Sequence, residues 1–254
     1  MLRKMKMSVK GKAVLTISLL MAAAHVGRAQ LSVDAEANFI AGVPYNKVRI
    51  PAAGGTQFDI AQDLSISTRF TGRFRLSYTI QERHVVSLLF APLTIKSNGV
   101  PGQDINYSGT QFDGNAELNA KYKFNSYRLT YRYMLIANEK VNLGLGLTGK
   151  IREANIVISQ GNKSADYPDL GFVPLVNFYF SVQPVEKLRL ILEGDALASK
   201  QGRAEDIFAG ISYDLSEHFA VKGGYRILEG GADVEENYNF AWVDYIPVGF
   251  IWRL

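Results

Sequence analysis

The chain has 254 residues, 47% hydrophobic and 11% aromatic, with a formal net charge of +4 and no cysteine. This length suits one or two soluble domains or a single barrel. The lack of cysteine excludes a disulfide framework and any thiolate metal site. Beyond residue 29, no run approaches the roughly 18 consecutive apolar residues of a spanning helix.

The first 29 residues read as a secretory signal peptide. Arg3, Lys4, Lys6, Lys10 and Lys12 precede an apolar run over 13–24. Small residues at Gly27 and Ala29 complete the pattern, so cleavage is expected after Ala29. At about 12 residues the run is short for a membrane anchor. With Arg28, this segment holds six basic residues and no acidic one, so the rest of the chain is slightly acidic. The basic balance of the whole chain therefore gives no support for nucleic-acid binding.

A first strand is predicted over 31–39, where Leu31, Val33, Ala35, Ala37 and Phe39 alternate with Ser32, Asp34, Glu36 and Asn38. A polar loop follows over 42–57. Leu64 to Ile80 then alternates cleanly, one face mostly apolar and the other wholly polar and bearing Arg69, Arg73 and Arg75. At ~3.3 Å per residue this strand would run about 55 Å. An apolar outside with an Arg-bearing inside is the pattern of a transmembrane β-barrel.

A turn at 81–83 leads to a strand over 84–95, and a second long loop occupies 96–114. Residues 116–136 read as another very long strand, whose apolar phase slips at Asn125–Ser126, as a β-bulge would make it do. Further strands are predicted at 141–151, 172–182 (with Pro174 an irregularity), 188–193, 207–213, 219–227 and 238–254. Their connections alternate between short turns (137–140, 183–187, 215–218) and medium loops (161–166, 199–204, 229–237).

The expected fold is all-β: a single antiparallel transmembrane barrel over 30–254, with about ten strands (eight or twelve also fit) and no second domain. Short turns on one side, longer loops on the other and an even strand count fit an outer-membrane barrel. The rival is a secreted β-sandwich, which also alternates. Against it stand the strand lengths, the loop asymmetry and aromatics near strand ends (Tyr131, Tyr133, Phe178, Tyr179, Phe180, Tyr245, Trp252).

The C-terminal Gly249-Phe250-Ile251-Trp252-Arg253-Leu254 places Phe250, Trp252 and Leu254 on one face. It resembles the assembly signal that ends Gram-negative outer-membrane barrels, although Leu254 stands where that signal usually has an aromatic. The segments LGFVPL (170–175), GRAEDIFAG (202–210) and GYRILEGGAD (224–233) are similar to a family of small, porin-like outer-membrane proteins of unassigned function. The resemblance implies an outer-membrane location. It implies outer-membrane lipid, lipopolysaccharide and the barrel-assembly machinery as partners. It carries over no catalytic residue.

The candidate lumen-lining charges are Arg69, Arg73, Arg75, Arg128, Arg132, Lys150, Arg152, Arg189, Glu193, Asp195, Asp206, Lys222 and Arg226, with Glu117 and Asp214 as further acids. They make either a network of paired charges filling a small barrel or the lining of a narrow anion-favouring path. Glu193, Asp195, Glu205 and Asp206, with Lys200 and Arg203, are expected at the outer rim, as a salt-linked edge or a cation site. Asp233, Glu235 and Glu236 read as a solvated acidic loop, with Ca²⁺ the alternative.

The expected function is a passive narrow pore for small solutes. The alternative is a structural or surface-binding barrel with a plugged lumen, presenting Tyr45, Phe58, Tyr107 and Phe112 on its loops. An outer-membrane enzyme is disfavoured, because His84 and His218 both fall beside short turns. No cofactor or metal is expected.

Overall fold

The computed structural model describes residues 29–254; the rest of the expected signal segment, residues 1–28, lies outside the described residues. Strands follow in the order β1 (Ala29–Arg49), β2 (Phe58–Asp59), β3 (Ser65–Ile66), β4 (Phe70–Ile80), β5 (His84–Ala91), β6 (Thr94–Gly99), β7 (Ile105–Tyr107) and β8 (Thr110–Phe112). They continue as β9 (Leu118–Ala137), β10 (Val141–Gln160), β11 (Lys163–Val185), β12 (Leu188–Ser199), β13 (Gly202–Asp214), β14 (Phe219–Val234) and β15 (Asn237–Arg253).

Ten antiparallel staves close into one barrel. β5 and β6 form a single stave, both paired to β9 and interrupted at Pro92–Leu93. β15 closes the ring on β1, from Ser32↔Arg253 to Arg49↔Tyr238. The turns at 81–83, 138–140, 186–187 and 215–218 are short and share one end with Ala29 and Leu254. In an outer-membrane barrel that end is periplasmic.

At the other end the staves overrun the expected loops. The predicted loops at 161–166, 199–204 and 229–237 are instead continuous hairpins that close at 161–162, 200–201 and 235–236. Polar side chains had masked strand there, because these strands stand clear of lipid.

The polarity of each tall stave inverts partway along. On β9 the even-numbered residues point inward throughout, and its pairing with β10 is unbroken from Asn119↔Ser159 to Met134↔Gly144. The expected bulge at Asn125–Ser126 is absent; the register shift lies at Leu143/Gly144. What changes at that point is the surroundings. Leu118, Ala120 and Tyr122 face an apolar core, whereas Ser126, Arg128, Thr130 and Arg132 face the lumen. Outside, Lys121 and Lys123 give way to Tyr127, Leu129, Tyr131 and Tyr133. The lower half obeys the lipid rule, apolar outward. The upper half obeys the water rule, apolar inward.

The same inversion divides Leu64–Ile80. Only Phe70–Ile80 is a stave, and the chain breaks at 67–69. Leu64 and Ile66 pack into the upper core, while Phe70 and Phe74, at the same parity, are 66% and 46% exposed on the lipid face. The segments 50–69 and 100–117 fold over the upper lumen as a cap and bury Phe58, Ile60, Ile105, Tyr107 and Phe112. The Tyr107 hydroxyl donates to the Ile156 carbonyl at 2.8 Å, and burial pushes its phenol above the ordinary range. Tyr245 and Tyr179, expected in the aromatic girdle, point inward: Tyr245 is 3% exposed, and Tyr179 lies under the Arg132 guanidinium at 4.8 Å.

The inversion predicts a depth-dependent cost for charge on β10. Leu147→Arg, at a position 69% exposed on the lipid face, should destabilise the barrel by about 2–4 kcal/mol. Val157→Arg, on the same face above the inversion, should cost under about 1 kcal/mol. Urea titration of folding into lipid vesicles measures both.

Candidate functional site

Below the inversion, the inner faces of β1, β4, β9, β12, β13 and β14 carry charged residues into a narrow ring. Asp206 on β13 receives three guanidinium groups there: Arg73 from β4 at 2.8 Å, Arg128 from β9 at 2.7 Å and Arg226 from β14 at 2.8 Å. Arg128 also holds Asp195 at 2.7 Å, and Asp195 accepts further bonds from Thr148 and Asn177. Glu193 accepts from Arg75 at 2.7 Å, with Arg132 at 3.8 Å. Glu36 lies between Lys222 at 2.5 Å and Arg226 at 2.9 Å. These contacts run directly from stave to stave across the interior. Glu36, Arg73, Arg128, Glu193, Asp195, Asp206, Lys222 and Arg226 are each no more than 7% exposed.

Gly249 lets β15 pack closely against the β1 backbone beside this network. It sits in register between Glu36 and Lys222, and a Cβ there would lie 2.3 Å from the Ala35 carbonyl oxygen. The rest of the C-terminal pattern faces lipid: Phe250, Trp252 and Leu254 are 39%, 45% and 53% exposed.

Of the thirteen candidate lining charges, nine join this ring directly: Arg73, Arg75, Arg128, Arg132, Glu193, Asp195, Asp206, Lys222 and Arg226. Lys150 is buried beside it without an ion pair among the described residues, its Nζ 4.6 Å from the centre of the Phe124 ring. Arg152 sits higher, paired with Asp169. Arg189 lies at the periplasmic end, donating to Gln183, Ser181 and the Glu139 carbonyl. Arg69 is exposed in the break before β4. Glu117 is exposed on the outer surface, and Asp214 pairs with Arg253 at the lower end.

The expected acidic rim does not form, because Glu193, Asp195 and Asp206 are buried in the lumen, far below the 200–201 turn. Sequence reading missed Asp34 and Glu36, the partners of Lys222. Their signal was available, since both sit on the polar face of the first alternating strand.

Above the ring lies a cavity of about 560 Å³. Tyr122, Phe124, Ile156, Leu228 and Val243 give it apolar walls; Lys150, Arg152, Asp169, Arg203, Glu229 and Glu236 give it charge. The cap fills the β1–β9 side of the upper barrel and leaves this space on the β10–β14 side. The cap also removes the expected aromatic display: Phe58, Tyr107 and Phe112 are buried, and Tyr45 donates to Glu229 at 2.5 Å beside Arg203.

Both described histidines lie at the periplasmic end, away from the cavity. His84 meets the Tyr131 hydroxyl at 2.8 Å and His218 the Arg253 carbonyl at 3.1 Å. Among the described residues, no group of three His, Asp or Glu side chains is placed to hold a metal, the 233–236 turn included.

No family model matches the chain, and no curated protein matches it. Solved structures do. The outer membrane protease OmpT from Escherichia coli is similar with a TM-score of 0.52 at 10% identity, over 89% of this chain and 97% of that one. A major outer membrane protein from Thermus thermophilus gives 0.41 at 11% identity, over 90% of this chain and 100% of that one. The translocator domain of the autotransporter NalP from Neisseria meningitidis gives 0.42 at 10% identity, over 96% of each chain. At these identities the likeness bears on fold alone. That fold, closed and belted with lipid-facing aromatics, is the outer-membrane β-barrel, and it places the protein in the outer membrane.

The network predicts an uneven response to loss of a carboxylate. Asp206→Asn leaves three buried guanidiniums facing one another and should cost about 3–5 kcal/mol. Asp169→Asn, at a more exposed pair with fewer partners, should cost less, about 1 kcal/mol. Urea unfolding from micelles, followed by the gel shift between folded and heated protein, reads both.

Proposed function

We propose that this outer-membrane β-barrel keeps its lumen closed to solutes and works from its outer half, where the 560 Å³ cavity takes a small ligand. The observation that carries this reading is the convergence of Arg73, Arg128 and Arg226 on Asp206. Charges that pair across a narrow lumen fill it with side chains. A path for small solutes would have to separate them, and breaking a buried pair costs about 3–5 kcal/mol. The narrow-pore reading therefore needs a rearrangement that the closed reading does not.

The cavity favours binding over display or chemistry. Its volume falls within the roughly 300–1,000 Å³ of small-molecule sites, and apolar walls with a few charged groups are their usual composition. The cap residues that would present aromatic surface are instead buried in the upper core. A hydrolytic enzyme reading lacks a histidine at this end, since His84 and His218 lie at the other.

Planar-bilayer recording tests the closed lumen. The unmodified protein should give no resolvable unitary steps. Asp206→Ala combined with Glu193→Ala, which frees the interior arginines, should give steps that favour anions. Steps from the unmodified protein would overturn the closed-lumen reading.

A further inference from the structure

We propose that the outer cavity seats a single-chain amphiphile with an anionic head, which arrives sideways from the outer leaflet between β11 and β12 and sets its anion on Lys150. This rests on the closed-lumen, ligand-binding reading above and names the ligand's chemistry.

The barrel wall has a step. β11 and β12 pair only from Val185↔Leu188 to Val176↔Ala196. β12 turns back at Ser199, but β11 extends further outward to Lys163, bonded there to β10. Residues 163–175 therefore have a free edge toward β12. Leu170 and Phe172 on this stretch are 74% and 70% exposed, more than any other large hydrophobic side chain among the described residues. Phe172 pairs with Ile151, itself 50% exposed on the lipid face, so the step begins within the apolar belt.

A free sheet edge in hydrocarbon leaves backbone groups without partners. Pro168 and Pro174 sit in the unbroken β10–β11 ladder, opposite Asn155 and Gly149. Proline keeps a place in a ladder only where its nitrogen points away from the partner strand. Both prolines thus delete donors from the free edge and blunt it; at its outer end the Ser108 hydroxyl of the cap donates to the Asp166 carbonyl.

The cavity extends to this step. Its lining includes Gly171 and Val173 from the inward face of β11 and Phe172 and Pro174 from the outward face. All four lie on the stretch of β11 that has no ladder partner on β12, so the cavity reaches the step. Leu197 and Ser199 form the opposite lip.

Inside, Lys150 is the buried cation that lacks a counter-charge. It is 3% exposed, with the Phe124 ring as its contact. Asp206 and Asp195 act on it through space, but Arg73, Arg128 and Arg226 already engage them. The other cations that line the cavity, Arg152 and Arg203, are held by Asp169 and Glu229. A buried ammonium without a carboxylate is costly, and a ligand anion supplies the missing charge. The apolar walls above it suit an alkyl chain, and a gap between two staves suits one chain.

The test uses the full-length protein in phosphatidylcholine vesicles, with pyrene-labelled hexadecanoate and pyrene-labelled hexadecanol as membrane-borne probes and acetate as an aqueous competitor. The labelled acid should bind, and acetate should not displace it. Lys150→Met, which removes a cation and keeps the stem, should weaken acid binding about tenfold or more and leave the alcohol unchanged. Lys150→Arg should retain the acid. The chain has no cysteine, so Leu197→Cys carries one unique thiol; a bulky maleimide attached there after folding should abolish binding from the vesicle.

The proposal is overturned if Lys150→Met binds the acid as the unmodified protein does, if the alcohol binds equally well, if acetate displaces the acid, or if the blocked Leu197→Cys protein still binds. Failure of every probe, with silent planar bilayers, overturns this inference and leaves the closed-lumen reading standing; unitary steps overturn the closed-lumen reading itself.

Discussion

Three guanidiniums on one buried carboxylate form the contact on which the rest of the structure depends. Asp206 on β13 holds Arg73, Arg128 and Arg226 from three other staves, and Arg226 passes on to Glu36 on β1. Taking so many charges from water is expensive, and the cost is offset only where each has several well-placed partners. Here the partners come from opposite walls, so the interaction that satisfies the charges also fills the barrel. Phe208, fully buried with Lys222 and Arg226 each 5.1 Å from its ring, completes the packing. On the closed-lumen reading proposed above, binding is confined to what lies above or below this level.

Above the ring, the barrel changes solvent. The inner face becomes an apolar core and the outer face becomes polar, with no change in pleat or register on β9 and β10. The cap segments supply much of that core from one side. The opposite side receives no insertion, and the cavity is the space left there. Its shape follows from unequal hairpins: β10–β11 is tall, β12–β13 is short, and the wall between them ends partway. Cavity and lateral gap are thus two results of one length difference.

Several features were legible in the residues before any coordinates. Period-two alternation located the ten staves, and the short turns located the periplasmic end. Arg73 and Arg75 on β4, Arg128 and Arg132 on β9 and Arg226 on β14 lie in phase with the polar face of lipid-facing strands, where a polar residue has nowhere else to go. Errors cluster where the surroundings change. Alternation at Leu64–Ile66 and at Phe70–Phe74 is equally clean, yet one pair meets protein and the other lipid. The apparent slip at Asn125–Ser126 is the same effect. Arg69 and Glu117 were assigned inward because the lipid rule was carried beyond the lipid.

The fold class and the lipid face follow from the residues alone, while the count of about ten staves left eight and twelve open, because alternation depends on neighbours two residues apart and on a solvent that accepts only apolar groups. The tertiary structure decided which charges meet, that Asp34 and Glu36 serve Lys222, that the loop aromatics turn inward, and that Lys150 lies without a carboxylate partner below a gap in the wall. Those outcomes depend on stave stagger and hairpin height, which bring together residues such as Glu36 and Arg226 from opposite ends of the chain. No local pattern encodes such a distance; closing the ring sets it.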